Sequence, residues 1–232
     1  MPHTPKHIEH PRHIKSFVRR EGRLTIGQQR ALDELLPVYG LNEKTTQIDL
    51  NTVFGRHCPK ILEIGFGDGT SLAQQADNNP DNDFIGIEVH RPGVGHLLGE
   101  LQQHGLNNVR VYCADAVEVI THCLPDQVLD GVQIFFPDPW HKTRHHKRRL
   151  VQVNFVKLIQ QKLKPGGTLH FATDWEDYAK YMIKVMQQVP GFINTAKEGH
   201  FVPRPSYRPL TKFEQRGQRL GHGVWDLVYR NI

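Results

Sequence analysis

Apolar positions follow two different rhythms along this chain. Before residue 59 only one stretch is periodic, TIGQQRALDELLPVYG at 25–40, where Leu32, Leu35 and Leu36 recur at helical spacing. Thr25 with Gln28 three residues on forms a capping box at its start, and Pro37 and Gly40 are expected to end it. The residues before it mix His, Pro, Lys and Arg without period. Residues 1–24 therefore read as a flexible basic arm, and His3, His7, His10 and His13 as solvated rather than metal-bound.

From residue 59 short apolar runs alternate with helical patterns. KILEIGFG, DFIGIEV, VRVYCAD, DGVQIFF and GGTLHFATD have the length and apolar continuity of buried strands. Between them TSLAQQADNN, the region 91–104, AVEVITHCL, LVQVNFVKLIQQKL and WEDYAKYMIKVMQQV carry helical spacing. GFINTAK and GVWDLVYR add two further strands, joined by a long basic loop that exceeds ordinary connection lengths. The prediction is an α/β fold: a Rossmann-like, doubly wound, mostly parallel seven-stranded sheet, with helices on both faces and an antiparallel C-terminal strand. One domain spans 25–232.

Composition narrows the class. The chain has 232 residues, 38% hydrophobic and 23% charged, which supports one sizeable core. Net charge is +5, gathered at 3–23, 142–149 and 204–219, and clusters of that kind suit a polyanion such as nucleic acid. Cys58, Cys113 and Cys123 are too few and too irregularly spaced for a disulfide framework or a zinc site. Cys113 is expected in the core. The N-terminus lacks a signal-peptide pattern, and no run is long enough to span a membrane. These features make the cytoplasm the expected compartment, with no metal and no membrane partner.

In a doubly wound sheet, ligands bind outside the carboxyl ends of the strands. Those ends carry candidate chemistry here. The first strand runs into EIGFGDG, where Gly65, Gly67 and Gly69 alternate and let backbone approach a ligand closely. Glu88 ends the second strand and can accept both hydroxyls of a ribose. Asp115 follows the third strand and Asp138 the fourth. A dinucleotide site prefers G-x-G-x-x-G, and here the third glycine comes one residue early, so no pyrophosphate is implied. Glu63, just before the loop, suits a cationic ligand instead. S-adenosyl-L-methionine brings a sulfonium and an ammonium, and Asp115 can accept its adenine amino group.

Four motifs give a more specific resemblance. ILEIGFGDG and GIEVHRPGV resemble the cofactor motifs of class I methyltransferases, while FFPDPWHKTRHHKRRL and RPLTKFEQRGQRLGHGVWDLVY resemble the bacterial tRNA (guanine-N7-)-methyltransferases of the TrmB family, over roughly residues 20–230. The resemblance implies methyl transfer from S-adenosyl-L-methionine to N7 of a tRNA guanine, expected at position 46 of the variable loop. It puts Glu63, Glu88, Asp115 and Asp138 on cofactor positions, beside Gly65 and Gly67. Lys142, Asp174, Thr211, Lys212, Phe213 and Glu214 fall on substrate positions, and Arg144, His145, His146, Lys147, Arg148 and Arg149 on an RNA-contacting segment. The expected partner is tRNA, bound by a monomer or a homodimer.

Guanine N7 carries no proton, so its methylation needs alignment rather than deprotonation. Asp138, held between Pro137 and Pro139, is the candidate catalytic residue: it positions the base and stabilises the charge that develops on the purine. Glu214 can accept from the guanine edge. Trp140 either stacks on a base or caps the core, and Trp225 is expected on the core face of its strand. Lys142, Arg144, Lys147, Arg148 and Arg149 should face phosphates. Two other readings stay open at this point: a methyltransferase of another RNA or of a small molecule, and an RNA-binding module without catalysis. A nicotinamide dehydrogenase fits the glycine spacing poorly.

Overall fold

A computed structural model describes residues 22–211, 214 and 223–232. The capping box forms as expected: Thr25 and Gln28 exchange hydrogen bonds at the start of helix α1 (Ile26–Tyr39). Pro37 does not end that helix but lies inside its last turn, where a missing N–H costs one hydrogen bond of the ladder. Gly40 ends it, donating to the Leu36 carbonyl. A short helix that the apolar pattern did not predict, α2 (Leu50–Phe54), begins at an Asp49 cap and stops at Gly55 with φ +67°.

The alternating region gives β1 (Lys60–Ile64), α3 (Thr70–Asn78), β2 (Asp83–Ile87), α4 (Arg91–Gln103), β3 (Val109–Tyr112), α5 (Ala116–His122) and β4 (Leu129–Phe135). After a 3₁₀ turn (Thr143–Arg148) come α6 (Val153–Lys162), β5 (Leu163–Thr173), α7 (Glu176–Met186), β6 (Phe192–Asn194) and β7 (Trp225–Asn231). The seven strands form one sheet in the order β3-β2-β1-β4-β5-β7-β6. Strands β1 to β5 are parallel, and β7 runs antiparallel between β5 and β6. The order reverses at β1, so the crevice of the sheet opens between the ends of β1 and β4. Among the described residues no helix is long and apolar enough to cross a membrane.

Strand alternation divides the core. Leu62, Ile64, Val132, Ile134, Leu169, Phe171, Leu227 and Tyr229 face α5, α6 and α7. On the other face, α1, α3 and α4 pack Leu32, Leu72, Val94, Leu97 and Leu98 together with Phe66 and Phe84. Cys113 is half-buried against this second cluster rather than in the centre of the core, whereas Cys123 is fully buried in the first. Trp225 packs partly buried against the first cluster, as expected of a core-face residue. The positions that alternate with those of the first cluster on β4, β5 and β7 include three buried polar residues, Gln133, His170 and Asp226. His170 and Asp226 are met by the connection between β6 and β7, from which Tyr207 and Arg208 reach them and Glu214 pairs with Arg208.

The two ends of the sheet differ. At the amino ends, ion pairs tie strands together: Lys60 and Arg56 to Asp83, and Lys164 to Asp130. The carboxyl ends carry the glycine loop and the acids singled out above.

Candidate cofactor and nucleic-acid site

The parallel register brings the tails of β1, β2, β3, β4 and β5 to one edge, and with them Gly65, Glu88, Asp115, Asp138 and Asp174. The antiparallel β7 starts at the same edge, because Trp225 pairs with Thr173.

The glycine loop is built for close approach. Gly67 adopts φ +64°, and a Cβ on Gly93 at the start of α4 would stand 1.9 Å from the Gly67 carbonyl oxygen. Only glycines let these two segments touch. Glu88 ties the loop to the end of β2: Oε2 accepts from Gly67 N at 3.0 Å, while Oε1 accepts from Val89 N at 2.6 Å and His90 N at 2.9 Å. An oxygen that already takes two donors is saturated, so Oε2 is the atom with an acceptor direction to spare. Asp115 caps α5 through Oδ1, which accepts from Val117 N at 3.0 Å.

Glu63 is 2% exposed and accepts from Gln75 Nε2 at 3.2 Å. Burial pushes its carboxyl up to about 8; the Gln75 hydrogen bond opposes this and the nearby Glu88 charge adds to it. Between Ile61 and His90 the chain contains no Lys or Arg. A cationic nucleoside would find three carboxyl groups at these strand ends. In the neighbouring strand Gln133, opposite Glu63 in the register, has a buried Oε1 with no partner among the described residues. The donor set fits a sulfonium-bearing nucleoside.

Asp138 is exposed at the end of β4. Its two prolines do limit the backbone, and the structure adds a second constraint. Phe136 and Trp140, on either side of the prolines, hold φ of +50° and +47°. Bulky L-residues avoid that region, so the turn that presents Asp138 is strained on both flanks. The His141 ring lies 4.2 Å from that of Trp175, which joins this turn to the loop bearing half-buried Asp174.

The basic segment divides in two. Lys142, Arg144 and Lys147 are exposed, and His145, His146 and Arg148 half-buried. Arg149 is not a surface residue, contrary to the expectation that it meets phosphate. It is 4% exposed, donates from Nε to the Pro139 carbonyl at 2.9 Å, and stacks over Tyr178 and Tyr181 at 4.7 and 4.9 Å. Its guanidinium holds the Asp138 turn from beneath. Trp140 is half-buried, with Arg148 over its ring at 4.6 Å and His145 meeting it edge-on.

Near the C-terminus, Thr211 is half-buried and its Oγ1 accepts from Glu214 N at 3.1 Å. Lys212 and Phe213 lie outside the described residues. Glu214 is 2% exposed, with both oxygens engaged by Arg208 at 2.6 and 3.1 Å. The sequence reading missed Arg208 and its partners Asp226 and His170. The available signal was their place: His170 and Asp226 are polar residues at core positions of strands.

Comparison with known proteins agrees with this arrangement. A family model described as "Putative methyltransferase" matches residues 57–227. The chain is 59% identical to the tRNA (guanine-N(7)-)-methyltransferase of Alcanivorax borkumensis over 94% of this chain and 91% of that protein. It is 58% identical to the protein of the same name from Aeromonas hydrophila, over 95% and 93%. Among solved structures it resembles the 16S rRNA methyltransferase KamB, with TM-score 0.59 and 11% identity over 81% of this chain and 94% of that one. It also resembles the aminoglycoside resistance methyltransferase NpmB1, with TM-score 0.56 and 16% identity over 82% and 95%. These two likenesses concern the fold alone. With its acidic strand ends, its glycine loop and relatives this similar over almost their whole length, the chain belongs to the tRNA (guanine-N(7)-)-methyltransferase family.

Proposed function

We propose that this chain transfers the methyl group of S-adenosyl-L-methionine to N7 of a guanine in tRNA, with guanine 46 of the variable loop as the target position. The observation that carries this reading is a juxtaposition at one sheet edge. Acidic residues end β1, β2 and β3, with no Lys or Arg between Ile61 and His90, while β4 ends in Asp138 and runs straight into an exposed basic turn. A cationic cofactor and a polyanionic substrate meet there.

Glu63, Gly65, Gly67, Glu88 and Asp115 would hold the cofactor, with Asp138 at its reacting end. The cofactor supplies an electrophilic methyl group on a sulfonium. The protein's own contribution is alignment, because guanine N7 presents a free in-plane lone pair. Asp138 and Asp174 orient the base and offset the positive charge that grows on the purine, and neither has to remove a proton. Lys142, Arg144, Lys147 and Arg148 contact phosphates, which fixes the tRNA without reading its sequence. Thr211, Lys212, Phe213 and Glu214 serve the substrate side. The enzyme works in the cytoplasm as a monomer or a homodimer, with residues 25–232 as one methyltransferase domain behind a basic arm.

The test is incubation of the purified chain with bulk tRNA and methyl-labelled cofactor, followed by mapping of the labelled nucleoside. N7-methylguanosine in the variable loop is expected; label in another nucleoside sinks the reading. A pH–rate profile that falls on the acid side through a required deprotonated group with a neutral-range pKa, and loses that limb in Asp138→Asn, would show an obligatory base and overturn the role given to Asp138.

A further inference from the structure

The connection between β6 and β7 is fastened to the sheet by a buried chain of polar side chains. Arg208, 0% exposed, spans two carboxylates. Nε and Nη2 donate to Asp226 at 2.7 and 2.8 Å, and Nη1 and Nη2 donate to Glu214 at 2.6 and 3.1 Å. Asp226 also accepts from His170 Nε2 at 2.8 Å, and Tyr207 Oη lies 3.0 Å from His170 Nδ1. Neighbouring residues fix the turn itself: Arg208 N donates to the Pro205 carbonyl at 3.0 Å, and Arg204 Nη1 to the Arg208 carbonyl at 2.7 Å. This connection lines a cavity of about 410 Å³ together with Gln74 and Asn78 of α3 and with Asn79 just after it.

A residue that reads a base must offer it an accessible atom. Glu214 does not: it is buried, and both its oxygens point at Arg208. Its backbone N–H meanwhile holds the hydroxyl of Thr211. Buried ion pairs add little net stability against well-packed apolar groups, but a planar fork between two carboxylates specifies one geometry. Building on the function proposed above, we propose that Glu214 serves methyl transfer without touching the guanine. It anchors the connection through Arg208, and Arg208 is a positioning residue that sets Thr211 at the site.

The test compares kcat/KM of wild type and Glu214→Gln on tRNA carrying guanine, inosine or 2-aminopurine at the methylated position. All three bases keep N7; inosine lacks the 2-amino group and 2-aminopurine lacks the N1 hydrogen. An anchor is blind to those groups, so the loss caused by Glu214→Gln should be the same on all three within about threefold. Arg208→Lys, which cannot fork between two carboxylates, should give the same pattern, and the double variant should fall no more than about threefold below the weaker single one. Cofactor affinity should hold within about twofold in each variant, a readout that general unfolding would move. A Glu214→Gln loss that shrinks about tenfold or more on inosine or 2-aminopurine would mean direct contact with the base and would overturn the proposal. So would losses that multiply in the double variant, or an unimpaired Glu214→Gln. If Arg208→Lys does not fold, the three-base comparison stands by itself, because Glu214→Gln leaves the Arg208–Asp226 pair intact. Wild type that leaves guanine tRNA unmethylated would instead fail the enzymatic reading itself.

Discussion

Glu63 is the residue whose chemistry depends most on its surroundings. Its carboxyl is pushed up to about 8 because burial penalises the charged form. In the free protein it therefore carries its proton at neutral pH. A bound sulfonium and ammonium favour the carboxylate, so cofactor binding below about pH 8 should release a proton and tighten as pH rises, levelling off above about 8. Titration calorimetry in buffers of different ionisation heat measures that proton directly, and Glu63→Gln should abolish it. The same raised value has the opposite sign for stability. The folded state holds a proton that the unfolded chain gives up, so this group's contribution declines as pH climbs from the ordinary carboxylate range to about 8.

Also at the residue scale, five neighbouring cations of one composition separate into different tasks. Lys142→Ala, Arg144→Ala and Lys147→Ala should each flatten the salt dependence of tRNA binding by about 0.7–0.9 units in log–log slope, with folding unchanged. Arg149→Ala should leave that slope alone. It should instead lower the unfolding midpoint, because it strips the Pro139 carbonyl and two tyrosine faces of their partner. Filter binding across a salt series, beside thermal melts, separates the two outcomes.

At the scale of the element, local signals acted where local physics decides. The α1 capping box was legible because both partners lie three residues apart, and Thr25→Ala should cost about 1 kcal/mol in denaturant unfolding without affecting methylation. The Asp138 turn shows where such reading stops. The prolines are visible in the string of letters, but nothing local announces that Phe136 and Trp140 take left-handed backbone. Phe136 N, bound to the Ala172 carbonyl, and Arg149, gripping Pro139, help hold that conformation. Pro37 taught the converse: α1 runs through it to Tyr39 although it forfeits one bond of the ladder.

At the scale of the whole molecule, β5 and β7 share a buried polar layer with the connection before β7. Asp226 is held below the usual carboxylate range: burial would raise it, but hydrogen bonds from His170 and Arg208 outweigh burial. Removing its charge leaves Arg208 short of a partner inside the protein. Asp226→Asn should therefore destabilise by about 3–5 kcal/mol, against well under 1 for breaking the exposed Arg30–Glu34 pair. Chemical denaturation of the two variants provides the comparison, and equal effects would contradict the layer's role.

What the sequence determined by itself was whatever repeats or lies close together. The order of strands and helices, the α1 cap, and the acids and glycines waiting at strand ends all follow from hydrophobic period and short-range spacing. What only the tertiary structure decided was which side chains face inward. Arg149 sits in the same basic run as Arg144, and Glu214 stands among polar letters like any surface acid, yet both are buried. Their positions depend on Tyr178, Tyr181, Arg208 and Asp226, partners that reach them through the fold or across the sheet. Burial is a property of the packed neighbourhood, and a guanidinium or carboxylate bears no local mark of whether water or another charge will meet it.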